Sequence, residues 1–159
     1  MWFFCSVLAN LCLALACLSD EKKRIFLFTF FQCVLLSLSS LLSARYGSFF
    51  LLLICAVRNV LIATGNMKRG YFFALIIASA AVSLLLDRSW VGCLPLLATV
   101  EITVCGYFFS DGMPQTVGLV LNLFLWSLYG LFVSDYPTAI VNGILIFVCF
   151  LPKKRYKRK

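Results

Sequence analysis

Apolar residues run along this chain in continuous blocks, separated by short clusters of charge, glycine or proline. Seven runs result: 2–18, 25–43, 49–65, 71–86, 91–109, 116–133 and 138–151. A helix crosses the bilayer with about 20 such residues, and roughly 17 are tolerated. Within the runs the apolar positions are continuous and do not alternate. That pattern predicts helices and not the strands of a barrel. The connections are short: S-D-E-K-K-R, A-R-Y-G-S, N-M-K-R-G, D-R-S-W, S-D-G-M-P-Q and S-D-Y-P. Short connections make successive helices antiparallel neighbours, and none leaves room for a separate soluble domain.

Composition strengthens the membrane reading. Of 159 residues, 63% are hydrophobic and 13% charged, and the mean hydropathy is +1.02. A soluble domain has about 45–50% apolar residues and about 25% charged ones, and a chain this short has no core able to absorb the excess. The opening M-W-F-F-C has no basic n-region. The first run is therefore expected to be kept as a span. The eight cysteines form no C-x-x-C, and histidine is absent. Most lie inside apolar runs, where a thiol packs as a small hydrophobe. No metal site and no cofactor is expected.

Charge sets an expected orientation. Lys22, Lys23, Arg24, Lys68, Arg69 and the six basic residues of the tail fall on one side of a seven-span chain, against Arg45 and Arg88 on the other. The positive-inside rule then places the N-terminus outside and the C-terminus in the cytoplasm. Trp2, Tyr46, Tyr71, Trp90, Tyr107 and Tyr136 lie near run ends, as an aromatic belt requires. The tail, Lys153–Lys159, is expected to meet anionic headgroups at about 1 kcal/mol per charge. No element is available to present it to nucleic acid.

Sliding the chain by 91 residues lays Ser19-Asp20 on Ser110-Asp111, Ser43 on Ser134 and Asn10 on Glu101. Runs one to three then overlie runs five to seven, with Leu35 opposite Trp126 and Leu51 opposite Asn142. The layout predicts an all-α membrane protein of seven transmembrane helices arranged 3+1+3 as parallel triple-helix repeats. The first bundle is 1–65, the linker helix 71–86, the second bundle 91–151 and the basic cytoplasmic tail 152–159. An odd linker gives both triplets the same orientation, the plan of several small solute transporters.

One segment keeps polar residues in an apolar setting: W-S-L-Y-G, Trp126 to Gly130, followed by Asp135 and then Asn142-Gly143. It resembles the last two helices of the SWEET and SemiSWEET sugar transporters, relatives of the PQ-loop proteins. Those show W-x-x-Y-G, then D-P-x-x-A-I, then P-N-G, with a similar spacing from Trp to Asn. G-M-P-Q, Gly112 to Gln115, resembles the start of the preceding helix in those carriers. The likeness covers about residues 95 to 150. Val141 stands where the sugar carriers have a proline, and Pro95, Pro114, Pro137 and Pro152 all lie in the second half. A second resemblance covers the whole chain. The first loop, A-V-R-N (Ala56 to Asn59), C-L-P-L-L (Cys93 to Leu97) and the final N-G helix are similar to the YgjV-type bacterial inner-membrane family. That likeness implies a multi-pass protein of the bacterial inner membrane.

The SWEET-like resemblance implies that Trp126 stacks on the apolar face of a sugar and Asn142 bonds its hydroxyls, with Tyr129 and Asn122 as neighbours in the same site. A flat ring and an amide suit those tasks. The bland alternative is a lipid-facing tryptophan and an asparagine that only joins two helices. Pro95, Pro114 and Gln115 are the hinge candidates. Asp135 is expected to cap the last helix with Pro137 in its first turn, and Gly130 and Gly143 to allow close helix contact. Two charges fall in mid-run, Arg58 and Glu101, each costing about 2.5–3.5 kcal/mol if isolated. A mutual ion pair that fixes the bundle is one account; a role on the substrate path or in proton coupling is another. Asn10, Gln32 and Asn59 are further candidates for a polar interior.

Two functions follow. One is a SWEET-like facilitator of a small polar solute such as a sugar, working by alternating access between the two bundles. The other is a non-transporting membrane protein that stabilises a partner complex. No nucleophile is paired with a base, so an enzyme is not expected. Seven spans can enclose a path within one chain, and the sequence leaves a homodimer open.

Overall fold

The computed structural model describes residues 2–19, 21–86, 89–109 and 113–149; the side chains of Lys22 and of residues 113–115 lie outside that description. The tail Lys153–Lys159, Arg88 and the Ser110-Asp111 half of the overlay likewise lie outside it. The described residues form seven α-helices: α1 (Trp2–Leu18), α2 (Lys22–Leu42), α3 (Tyr46–Ala63), α4 (Arg69–Leu86), α5 (Cys93–Phe108), α6 (Met113–Phe132) and α7 (Tyr136–Cys149). Each apolar run became one helix, most of them starting two or three residues early. Three helices are long and apolar enough to cross a membrane: Lys23–Leu42, Tyr46–Ala63 and Arg69–Leu86. The other apolar segments, Trp2–Leu18, Cys93–Phe108, Thr116–Phe132 and Tyr136–Cys149, are shorter.

The helices are arranged with their greasiest side chains outward. Phe4 and Ile77 are 66% exposed, Leu85 73% and Phe147 76%. Inside lie Ser6, Asn10, Ser37, Asn59, Ser79, Thr103 and Asn142, all buried. Water would penalise so large an apolar exterior; hydrocarbon does not. Between helices in lipid the useful contacts are small residues and hydrogen bonds, which is what the interior contains. All eight cysteines are free, four of them buried in the core.

Packing follows a closed circuit. α2 lies against α1 and α3, α6 lies against α5 and α7, α3 meets α5, and α7 meets α1. α4 touches α3 and α5. One apolar cluster joins Ala9, Cys33, Leu36, Leu52, Cys55 and Ala56 from α1, α2 and α3. A second joins Leu13 and Cys17 of α1 to Leu123 of α6 and to Leu145 and Cys149 of α7. Gly130 allows close contact between α6 and α7: a Cβ there would lie 3.0 Å from both Ala139 N and Asp135 O. Gly143 does not; a Cβ on it would meet Ser127 Oγ at an ordinary 3.8 Å.

Three helix ends use one device. At the end of α2, Arg45 N–H donates to Ser40 O (2.9 Å) and Ala44 N–H to Leu41 O (3.1 Å). At the end of α6, Asp135 N–H donates to Gly130 O (2.8 Å) and Ser134 N–H to Leu131 O (3.3 Å). At the end of α3, Asn66 N–H and Gly65 N–H repeat the pair onto Leu61 O (2.9 Å) and Ile62 O (3.1 Å). This is the Schellman arrangement, whose central residue is left-handed. Ala44 (φ 56°), Ser134 (φ 58°) and Gly65 (φ 71°) hold that position.

The α2–α3 and α6–α7 corners therefore match residue for residue at a shift of 90, with Arg45 on Asp135 and Tyr46 on Tyr136. The shift of 91 read from the sequence is one too many here. Leu36, not Leu35, stands opposite Trp126, and Leu52, not Leu51, opposite Asn142. In α1 and α5 the buried faces Ser6, Ala9, Asn10, Leu13, Cys17 and Pro95, Ala98, Thr99, Ile102, Gly106 coincide at a shift of 89. Asn10 thus corresponds to Thr99 and not to Glu101. A uniform shift missed this because the first connections differ in length.

Candidate functional site

Polar side chains collect on the inner faces of the helices, and each has a definite set of neighbours. Trp126 of α6 is half-buried. Its indole packs against the cluster of Ala9, Leu36, Leu52 and Cys55 and meets the Tyr129 ring edge-on, with centroids 5.7 Å apart and an interplanar angle of 88°. Tyr129 is buried, and its hydroxyl shares a hydrogen bond with Ser48 of α3. These two aromatics reach from α6 across to the α1–α3 side of the circuit. Neither is turned wholly to lipid.

Asn142 of α7 is 1% exposed, and neither its Nδ2 nor its Oδ1 has a hydrogen-bond partner among the described residues. Ser127 Oγ, next to Trp126, donates to Ala139 O at 2.8 Å, which sets the Trp126 turn of α6 beside the Asn142 turn of α7. Asn122 is turned elsewhere. Its Nδ2 donates to Ala98 O of α5 at 2.8 Å, so it joins α5 to α6. Asn10 of α1 is 3% exposed, and both of its amide atoms also lack a partner among the described residues. Burying a polar group without a bond costs about 1–3 kcal/mol, so four orphaned amide atoms in a bundle this small call for an explanation.

Arg58 and Glu101 do not pair. The Arg58 Nε and Nη2 donate to Asn59 Oδ1 at 3.1 and 2.9 Å, and Nη1 donates to Thr99 O at 3.3 Å and Thr103 Oγ1 at 3.5 Å. The cation is 5% exposed and is held by neutral acceptors on α3 and α5. Asn59 completes the link by donating from Nδ2 to Cys33 Sγ of α2 at 3.5 Å. Arg58 also lies past the centre of α3, because the helix starts at Tyr46. Glu101 sits on the opposite side of α5, against α6. The Cys105 thiol donates to its Oε1 at 3.0 Å, and Oε2 is buried with no partner among the described residues. Gly118 makes this possible: a Cβ there would come within 2.7 Å of Oε1 and 2.6 Å of Cys105 Sγ.

The remaining candidates behave differently. Pro95 is wholly buried in the first turn of α5, where a missing N–H breaks no intrahelical bond; it gives that helix no mid-span hinge. Pro114 and Gln115 lie in the first turn of α6, with side chains outside the described residues. Gln32 is half-buried on α2. Asp135 does cap α7, Oδ1 accepting from Thr138 N–H at 3.4 Å. It does more than a cap requires. Its Oδ1 also accepts from Ser6 Oγ at 3.2 Å, and its Oδ2 from Thr138 Oγ1 at 3.1 Å. Arg45 Nη1 lies 4.0 Å from Oδ2. Ser6, Ser48, Thr99 and Thr103 escaped the sequence reading. A signal existed in Thr99 and Thr103, which sit four apart on one face of α5 and so point the same way.

A bacterial inner membrane protein family, Imp-YgjV, matches the chain over residues 4–159. The chain belongs to this family. Its members are inner-membrane proteins, and the helices described above agree: this is a multi-pass protein of the bacterial inner membrane, in contact with lipid on its apolar exterior. No curated protein and no solved structure matches the chain.

Proposed function

We propose that this YgjV-family protein is a SWEET-like carrier of a small polar solute such as a sugar. It works by alternating access between a first bundle, residues 1–65, and a second, residues 91–151, with α4 as the linker and the N-terminus outside. The observation that carries the reading is Asn142. Its amide is 1% exposed with both polar atoms unpartnered, at the level of a half-buried Trp126. A helix-joining asparagine would spend its amide on the neighbouring helix, as Asn122 does.

Three features support the arrangement. α1, α2 and α3 pack in sequence, as do α5, α6 and α7, and the two groups meet along α1–α7 and α3–α5, with the side chains of Trp126 and Tyr129 reaching across from α6. Such limited seams suit rocking of one group on the other. The α2–α3 and α6–α7 corners have the same backbone design at a constant shift. Arg45 from one corner and Asp135 from the other face each other at 4.0 Å, a contact between the two groups that a rocking motion would break and remake.

The test is uptake by proteoliposomes carrying the purified protein, over a panel of neutral sugars and small metabolites. Uptake that Asn142→Ala abolishes is the expected result. No uptake of any solute, with a stable membrane partner co-purifying, would favour the partner-stabilising function instead.

A further inference from the structure

Resting on the carrier reading, we propose that Asn10 of α1 and Asn142 of α7 form a single ligand seat, made for a neutral, hydroxyl-bearing solute. The two helices run parallel, since six short connections separate them. Their register is fixed at one end by the contact of Ser6 Oγ with Thr138 Oγ1, 3.1 Å apart, both hydroxyls donating to the Asp135 carboxylate. At the other end Leu13 and Cys17 share a cluster with Leu145 and Cys149. Ser6, Asn10, Leu13 and Cys17 follow the same spacing as Thr138, Asn142, Leu145 and Cys149. That spacing puts one residue of each set on the shared face at every turn. Asn10 and Asn142 are therefore level, each at the middle of its helix. They are complementary groups, yet neither bonds the other or any other described atom. Two matched amides held level and unbonded are provision for a third party.

The chemistry of that party follows from the surroundings. α1, α6 and α7 carry no charged residue along their helical spans. Arg58 is engaged on the α3–α5 side, and Asp135 is engaged by Ser6, Thr138 and Arg45. An anionic or cationic solute would find no counter-charge at the seat. Each amide offers donors from its nitrogen and lone pairs on its oxygen, and a hydroxyl both donates and accepts. Neighbouring hydroxyls on one solute satisfy both amides at once. The seat also joins one helix from each proposed bundle, so occupancy would link them.

The experiment measures thermal unfolding of the full-length protein in nanodiscs with glucose, sucrose and glycerol, and with gluconate and glucosamine as charged counterparts. Uptake is measured in parallel. Expected are a rise in Tm of the unmodified protein with a neutral solute only, and loss of that rise in both Asn10→Leu and Asn142→Leu. Without solute both variants should unfold higher than the unmodified protein by roughly 2–4 °C, because an orphaned amide has been replaced by an apolar side chain of similar size. A lower Tm for either variant without solute would show that the amides are bonded in the bilayer and would overturn the seat. So would the absence of any stabilising neutral solute, which leaves resident water as the only occupant. A solute-induced rise or uptake that survives Asn10→Leu would overturn the pairing but leave the carrier standing. Binding that both variants lose, without uptake by the unmodified protein, would uphold the seat and sink the carrier.

Discussion

Arg45 and Asp135 hold the same position in two equivalent helix corners, and their side chains face each other at 4.0 Å. Each is the residue that follows a left-handed Ala44 or Ser134 and donates its N–H back across the helix end. A repeated backbone has thus been given opposite charges at matched places, and the two corners attract. Both side chains are partly shielded, 24% and 11% exposed, so the pair should be worth at most about 1 kcal/mol. Asp135→Asn keeps the cap, because Asn caps a helix as well as Asp, but it loses one acceptor oxygen, so only the coupling in a cycle isolates the ion pair. In a double-mutant cycle with Arg45→Gln, unfolding in nanodiscs should give a coupling energy of roughly 0.5–1 kcal/mol. A value of zero would mean that the contact of Ser48 with Tyr129, and not this ion pair, joins α3 to α6 near the corners.

The corners themselves predict an asymmetry. Left-handed backbone costs a residue with a Cβ about 1–2 kcal/mol, and glycine avoids it. Ala44 and Gly65 occupy the same place in the same motif, one strained and one free. Nothing lies within 4 Å of a Cβ added at Gly65, so Gly65→Ala is a pure backbone change. Ala44→Gly should raise the unfolding free energy by about 1 kcal/mol, and Gly65→Ala should lower it by a similar amount. Chemical unfolding followed by circular dichroism in one detergent checks both signs.

How much of this was legible in the sequence depends on range. Helix number and limits were readable because hydrocarbon length and short charged connections leave few alternatives. Asp135 as a cap was readable because capping is local. The partners of Arg58 were not. A charge pair with Glu101 balances on paper, but Arg58 and Glu101 project to different sides of α5, and that depends on helix rotation. Repeat alignment failed by one residue at the corners and by two in α1 and α5, because connections of unequal length move the register without altering the apolar pattern. Asn10 and Asn142 were both visible as polar residues in apolar runs. That they are level follows from the Ser6–Thr138 contact, 132 positions apart in the chain, and from the cluster that joins Leu13 and Cys17 to Leu145 and Cys149.

Close approach at glycine gives a third prediction. Gly130 faces backbone atoms of α7, which cannot move aside as a side-chain tip can. Gly118 faces the Glu101 carboxyl and the Cys105 sulfur, both at the ends of side chains. Gly130→Ala should therefore cost about 1–3 kcal/mol by overpacking. Gly118→Ala should cost less in stability but displace Glu101, and the loss should be recovered only in part in Gly118→Ala combined with Cys105→Ala, because Cys105 Cβ (3.1 Å) and Glu101 Oε1 (2.7 Å) still face the added Cβ. Thermal unfolding of the three variants against the unmodified protein tests the order.

The last prediction concerns the buried cation. Arg58 has no carboxylate partner among the described residues, and Asn59 Oδ1 takes two of its N–H groups at once. A planar guanidinium can make that fork, and an ammonium cannot. Asn59→Leu should then be among the most harmful changes in the interior, removing hydrogen bonds to a charged group worth about 1.5–3 kcal/mol each while leaving the charge buried. Arg58→Lys should be harmful too, since one nitrogen cannot reach Asn59, Thr99 and Thr103 together. Arg58→Met removes the charge along with its need for acceptors, and replacing a buried ion by an apolar group of similar shape is often neutral or stabilising. The expected order of unfolding temperatures is Arg58→Met at or above the unmodified protein, then Arg58→Lys, then Asn59→Leu. If Arg58→Met instead unfolds lowest, the cation holds α3 to α5 more strongly than its desolvation opposes them. The neutral acceptors Thr99 and Thr103 would then be its essential partners and not its compensation.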